Sequence, residues 1–252
     1  MIAFLRKIRQ RLLAGNQFSK YLLYAIGEIA LVVIGILIAL AVNNWNEERV
    51  RERRELESLA FLKAEFDGNL QKLRINRDKH HSRLAAINDL LFSDLANREL
   101  PEIDSLYRLA FYSWTYNPSF STYTSLVSSG KLNDFSNDSL KIRISAFRDL
   151  VADYQEDEEN LWNHSRDQLF VQEVLNTGML SENKFNLRPR TPAELRDDKS
   201  GYLEFFNDPE SRNSLTLAVL HLKLINEEGD VLLKELQELL NGFEAHMRKI
   251  EK

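Results

Sequence analysis

At 252 residues the chain is long enough for one sizeable domain and an appendage. A hydrophobic content of 44% with 28% charged residues excludes wholesale disorder. The absence of cysteine excludes disulfides, thiolate catalysis and zinc–thiolate sites. The formal charge of −5 is unevenly spread: Arg6, Lys7, Arg9, Arg11 and Lys20 have no acid beside them over residues 1–27. A basic terminus next to an apolar run is a pattern of membrane topology rather than of nucleic-acid binding.

Residues 1–20 therefore read as a basic cytoplasmic tail and residues 21–42 as a transmembrane helix. Residues 29–42 alone are apolar throughout but short for a bilayer. Extending back to Tyr21 gives about 33 Å of helix at ~1.5 Å per residue, enough to span. The window holds thirteen Leu, Ile and Val residues. At roughly 0.3–0.6 kcal/mol each they outweigh the ~2.5–3.5 kcal/mol for one charged residue, here Glu28. Tyr21, Tyr24 and Trp45 sit at the expected headgroup levels. Lys and Arg stand five before the span against Arg49, Arg51, Arg53 and Arg54 after it, which favours a cytoplasmic N-terminus and a periplasmic C-terminal domain. Two other readings stay open: a signal peptide cleaved near Ala39-Leu40-Ala41, and a buried core helix. Glu28, Gly35 and Ala39 share one helical face, so they form a candidate membrane-helix interface; equally, small residues are common in such helices and Glu28 can reach the headgroups.

Residues 43–252 are expected to form a helical soluble domain. Residues 47–91 read as one long helix with Leu56, Leu59, Phe66, Leu70, Leu73, Leu84, Ile87 and Leu91 at alternating three- and four-residue steps. Lys63, Arg77 and His80 fill the gaps in that stripe. Residues 103–114 should be helical, ended by Asn117-Pro118, and residues 122–129 a short helix closed by Gly130. A long helix is expected from residues 136–138 to about 175, followed by an irregular loop over 176–208. Asp208-Pro209 then opens a second long helix carrying Leu215, Val219, Leu222, Leu233, Leu236, Leu240, Phe243, Met247 and Ile250. Pairing the two long helices antiparallel sets Arg77 opposite Gly229 and His80 opposite Asn226, with Glu227 and Glu228 near Arg77. Arg77, His80 and Asn226 are thus a candidate polar register layer. The fold class is all-α: one transmembrane helix, then a bundle with two long heptad-patterned helices.

No residue pattern demands a reaction. The histidines lack H-E-x-x-H spacing, and the acids Asp153, Glu156, Asp157, Glu158 and Glu159 spread around their helix as a solvated face does. Ser128-Ser129-Gly130-Lys131 lacks the leading glycine of a phosphate loop. Tyr107, Phe111, Tyr112, Trp114 and Tyr116 form the densest aromatic cluster; core packing is the ordinary explanation, and a partner or ligand surface the functional one. No cofactor or metal is expected. The expected partners are the lipid bilayer and either a second copy or an envelope protein, not nucleic acid.

Residues 20–48 (KYLLYAIGEIALVVIGILIALAVNNWNEE) and 123–132 (YTSLVSSGKL), the latter followed by Asn137-Asp138-Ser139-Leu140, resemble an uncharacterised family of bacterial single-pass membrane proteins common in Bacteroidota. The resemblance implies a cell-envelope protein at the inner membrane and brings no catalytic residues. The expected role is a membrane-anchored interaction or scaffold module rather than an enzyme, with a ligand-sensing ectodomain acting through a separate partner as the alternative.

Overall fold

The computed structural model describes residues 18–169 and 191–251; the basic tail lies largely outside them. Every regular element among the described residues is helical. Among the described residues six helices follow in chain order: α1 (Phe18–Phe92), α2 (Leu100–Phe111), α3 (Ser121–Ser128), α4 (Asp138–His164), α5 (Pro192–Asn207) and α6 (Pro209–Ile250). Short 3₁₀ turns occupy Leu95–Asn97 and Lys131–Asp134, and a π turn, Ser165–Leu169, follows α4.

The chain divides into two compact units, Met1–Glu57 and Ser58–Lys252. Helix α1 runs through the division, because no proline or other breaker interrupts residues 43–57. In the first unit, the helix is long and apolar enough to cross a membrane, and none of its most apolar window is buried. Polar contacts follow the apolar run: Asn43 donates to Glu47, Arg51 pairs with Glu48, and Arg49 lies over the Trp45 ring.

In the second unit, the later part of α1, α4 and α6 pack side by side. Helix α6 runs antiparallel to both others. Lys63 pairs with Glu244, Arg212 donates to the Leu91 carbonyl, and Arg143 of α4 pairs with Glu235 and Glu238. Phe66 sits at the junction, 5.4 Å from Phe147 of α4 and 5.5 Å from Phe243 of α6 (ring centroids). A second aromatic group joins α2 to α5 through Tyr107–Tyr202 and Phe111–Phe205.

Helix starts follow their local chemistry. The Asp208 carboxylate accepts from the Ser211 N–H ahead of Pro209, and Asn137 accepts from Leu140. Thr191 and Glu194 form a reciprocal capping box that opens α5. That corrects the loop expected over 176–208, insofar as it falls on described residues: Thr191-Pro192-Ala193-Glu194 is a start signal strong enough to carry a helix past Gly201. Helix α2 also ends three residues sooner than expected, with Tyr112 already extended, so residues 112–120 cross the bundle without helical structure.

Candidate functional site

Residues 112–120 form a strap whose backbone has no helix to satisfy it, and side chains of α1 and α4 supply partners at Tyr116, Asn117 and Ser119. On α1 the side chains concerned are Glu65, Asn69, Lys72 and Arg83, with Asn76 and His80 acting through Glu158, at spacings that repeat along one side of the helix. Asn69 donates to the Ser119 carbonyl at 2.8 Å and accepts from the Ser119 N–H at 2.7 Å. Lys72 donates to the Asn117 carbonyl. Arg83, almost wholly buried, donates from Nε to the Ala110 carbonyl and from its two terminal nitrogens to Ser113 and Ser165. Burial lowers the Arg83 pKa to about 10.

Glu65 caps a helix that lacks a cap of its own. Its carboxylate accepts from the N–H groups of Thr122 and Tyr123 and from the hydroxyls of Ser119 and Ser121. Burial pushes the Glu65 pKa up, but these four donors more than reverse it and hold it below the ordinary value.

Glu158 is the hub. Its Oε1 accepts from Asn76 at 2.9 Å and lies 2.7 Å from His80 Nε2, while Oε2 accepts from the Tyr116 N–H at 2.8 Å. Tyr154 donates to Asn76, and Gln155 donates to the Tyr116 carbonyl. Burial, then the Glu158 charge, pushes the Tyr116 and Tyr154 phenols far above their usual range. Glu158 was expected on a solvated acidic face; instead it is buried, because one residue of that run faces α1 while its neighbours face out. His80 and Glu158 are each 1% exposed in their side chains. A pair so sealed positions the strap; it cannot meet a substrate.

Among the register residues, the structure brings Arg77 against Gly229. A Cβ built there would stand 3.2 Å from both Arg77 Cγ and Tyr154 Cε2. The acid that neutralises Arg77 is Asp230, not Glu227 or Glu228. His80 bonds to Glu158 of α4 rather than to Asn226. Asn226 is buried, and neither atom of its amide has a hydrogen-bond partner among the described residues; the same holds for His80 Nδ1. Glu28, Gly35 and Ala39 are exposed in the first unit, with nothing within 4 Å of a Cβ placed on Gly35.

The aromatic cluster divides. Tyr107 and Tyr116 are core residues and belong to no surface, a correction that follows from α2 packing on α5 and the strap turning inward at Tyr116. Phe111 is half-buried against Tyr107 and Phe205. Tyr112, 52% exposed, and the half-buried Trp114 face outward as a stacked pair, 5.8 Å apart at 25°, with the Lys79 ammonium 5.7 Å from the Trp114 ring centroid. Beside them lies a hollow of about 260 Å³ lined by Ile75, Asp78, Lys79, Ser82, Leu109 and Trp114. A larger cleft of about 550 Å³ separates the start of α2 from α5. It is lined by charges of both signs, of which Lys199 is held on the Ala96 carbonyl and Asp104 on the Tyr202 hydroxyl. No group of three or more His, Asp or Glu residues able to hold a metal ion occurs among the described residues.

Apart from His80, the pinning residues were missed in the sequence because they interrupt an apolar pattern. The available signal was their spacing: Asn69, Asn76 and Arg83 recur every seven residues.

No curated protein and no solved structure matches the chain. A family model described as a family of unknown function, DUF6090, matches residues 28–157, which take in the apolar run, the pinning stripe and the strap. Since that match covers more than half of its length, the chain belongs to this family.

Proposed function

We propose that the protein is a membrane-anchored helical module of the bacterial cell envelope, tethered by residues 21–42 and docking an envelope partner on its periplasmic domain. One observation carries this reading. The large aliphatic side chains of residues 22–42 lie outside any core, whereas along α1 the second unit buries most of its own, Ile75 excepted. An apolar cylinder of that length, interrupted only by Glu28, is costly in water and at home in lipid. The orientation rests on the basic tail, and Glu28, Gly35 and Ala39 offer a face for helix pairing within the bilayer.

The test is a reporter fused after Lys252, active on one side of the inner membrane only, combined with alkaline washing of the membranes. Periplasmic activity and retention in washed membranes are expected. Recovery of the full-length chain in the soluble fraction would overturn the tether.

A second reading, a ligand-sensing ectodomain that signals through a separate partner, is favoured by the outward stack of Tyr112 on Trp114. The rigid pinning of the strap makes these rings a preformed surface rather than an adaptable one.

A further inference from the structure

We propose that the hollow beside Tyr112 and Trp114 binds a sugar ring, so that the partner met by this module is a glycan. The proposal rests on the docking-module reading and gives its partner a chemistry.

The hollow has two kinds of wall. Ile75, Leu109 and Trp114 make an apolar side, continued outward by the Tyr112 ring stacked on Trp114. Asp78, Lys79 and Ser82 make a polar side, all within a little over one turn of α1. A pyranose has the matching duality. One face presents C–H bonds to the electron-rich face of an aromatic ring, while the rim presents hydroxyls that both donate and accept. Asp78 offers only acceptors, and Lys79 only donors. An aliphatic side chain in the hollow would strip water from these groups and give nothing back. A simple anion would meet the Asp78 carboxylate, with an ammonium already placed over Trp114. The volume, about 260 Å³, suits one ring-sized group rather than a drug-sized ligand.

Preorganisation favours a weak-binding polymer ligand of this kind. Arg83 holds the Ala110 carbonyl at the end of α2 and the Ser113 hydroxyl in the strap, on either side of Tyr112, and Glu158 holds Tyr116 two residues beyond Trp114. Little conformational freedom is left to lose on binding. A single weak site gains from repetition when the ligand is a polymer and the protein is confined to a surface.

The test uses the full chain in a polyoxyethylene detergent, which carries no sugar headgroup. The three tryptophans are Trp45, Trp114 and Trp162. In a Trp45→Phe, Trp162→Phe background, Trp114 is therefore the sole reporter. Cellotetraose and chitotetraose are titrated as neutral probes, with a proline-rich peptide in a parallel arm. The expected result is a saturable change in Trp114 emission with one of the sugars. Tyr112→Ala should weaken it by about tenfold and Tyr112→Phe should leave it nearly unchanged. Helical circular dichroism should be the same for all three, since Tyr112 is half exposed. No saturable response to either sugar, equal affinity in Tyr112→Ala, or saturation by the peptide alone would each overturn the proposal. Membrane retention is measured separately, so loss of sugar binding and loss of the tether give different results.

Discussion

Two stretches of the same helix make opposite choices. Over residues 22–42, α1 exposes its apolar side chains and holds one acid, Glu28. Over residues 59–91 it buries Leu59, Leu62, Phe66 and Ile87, and with them Asn69, Asn76, His80 and Arg83. The backbone is the same, so what differs is what each stretch is built to face. The first, Glu28 apart, presents only apolar surface. The second meets a strap with unpaired backbone groups; Asn69 answers them directly, while Asn76 and His80 hold the Glu158 carboxylate that answers Tyr116. A helix face that must hold irregular chain is therefore better recognised by its buried polar residues than by its leucines.

The sharpest way to break the comparison is to remove the hub on the second stretch. Glu158→Ala leaves Asn76, His80 and the Tyr116 N–H without their acceptor in a sealed site. A loss of about 3–5 kcal/mol in urea unfolding is expected, as for a buried pair deprived of one partner. Leu31→Ala, on the first stretch, should leave the unfolding of the second unit unchanged. A stable Glu158→Ala would show that the strap is held by packing alone.

Gly229 and Gly35 sharpen it at the level of single methyl groups. A Cβ at Gly229 would stand 3.2 Å from Arg77 and Tyr154, and Arg77 also pairs with Asp230. Overpacking costs ~1–3 kcal/mol, against a helix-propensity gain of ~1 kcal/mol. A net loss of about 1 kcal/mol is expected for Gly229→Ala, accompanied by loosening at Arg77 detectable by hydrogen exchange. Gly35→Ala meets nothing, so thermal unfolding of the second unit should not move.

The contrast also marks what the sequence could and could not say. Helix α6 was legible in full, since Asp208-Pro209 starts it and its stripe runs to Ile250 with gaps only at Asn226 and Gly229. The facing of Arg77 and Gly229 followed from aligning defects in two stripes. Helix α5 was not legible, because Gly178, Pro189, Pro192 and Gly201 together suggested a loop, while the capping box at Thr191 was overlooked. The strap was hidden for a different reason. Tyr107–Tyr116 is dense in aromatics whether helical or not, and the side chains that hold the chain beyond α2, Arg83 at Ala110, Glu158 at Tyr116 and Asn69 at Ser119, come from far along the sequence. Periodicity reports which face is buried; it does not report which buried polar group will bond to a distant backbone.

Acid should reach the strap through Glu65. Its folded pKa lies below the ordinary carboxylate value, so the unfolded chain takes up the proton first as pH falls. The stabilisation is complete above the unfolded value of 4.5 and is lost as pH drops through the lower folded one. Glu65→Gln should flatten that acid limb and cost about 1 kcal/mol at neutral pH, as loss of a helix cap does. Unfolding followed against pH checks both. An unchanged acid limb in Glu65→Gln would remove Glu65 from the account.

The smallest expected effect is a gain. Gly68 lies in the interior of α1, on its exposed side, with nothing within 4 Å of an added Cβ. It is one residue from Asn69, which holds Ser119, yet points away from the strap. If the second stretch keeps its glycine for the sake of the strap, Gly68→Ala should destabilise it. If instead the pinning is done by polar side chains alone, Gly68→Ala should add about 0.5–1 kcal/mol through reduced freedom of the unfolded chain. The geometry favours the gain, because no neighbour has to move. A rise in the urea midpoint with an unchanged slope is the expected observation; a fall would mean that this turn of α1 bends to meet the strap, and that backbone as well as side chains positions Tyr112 and Trp114.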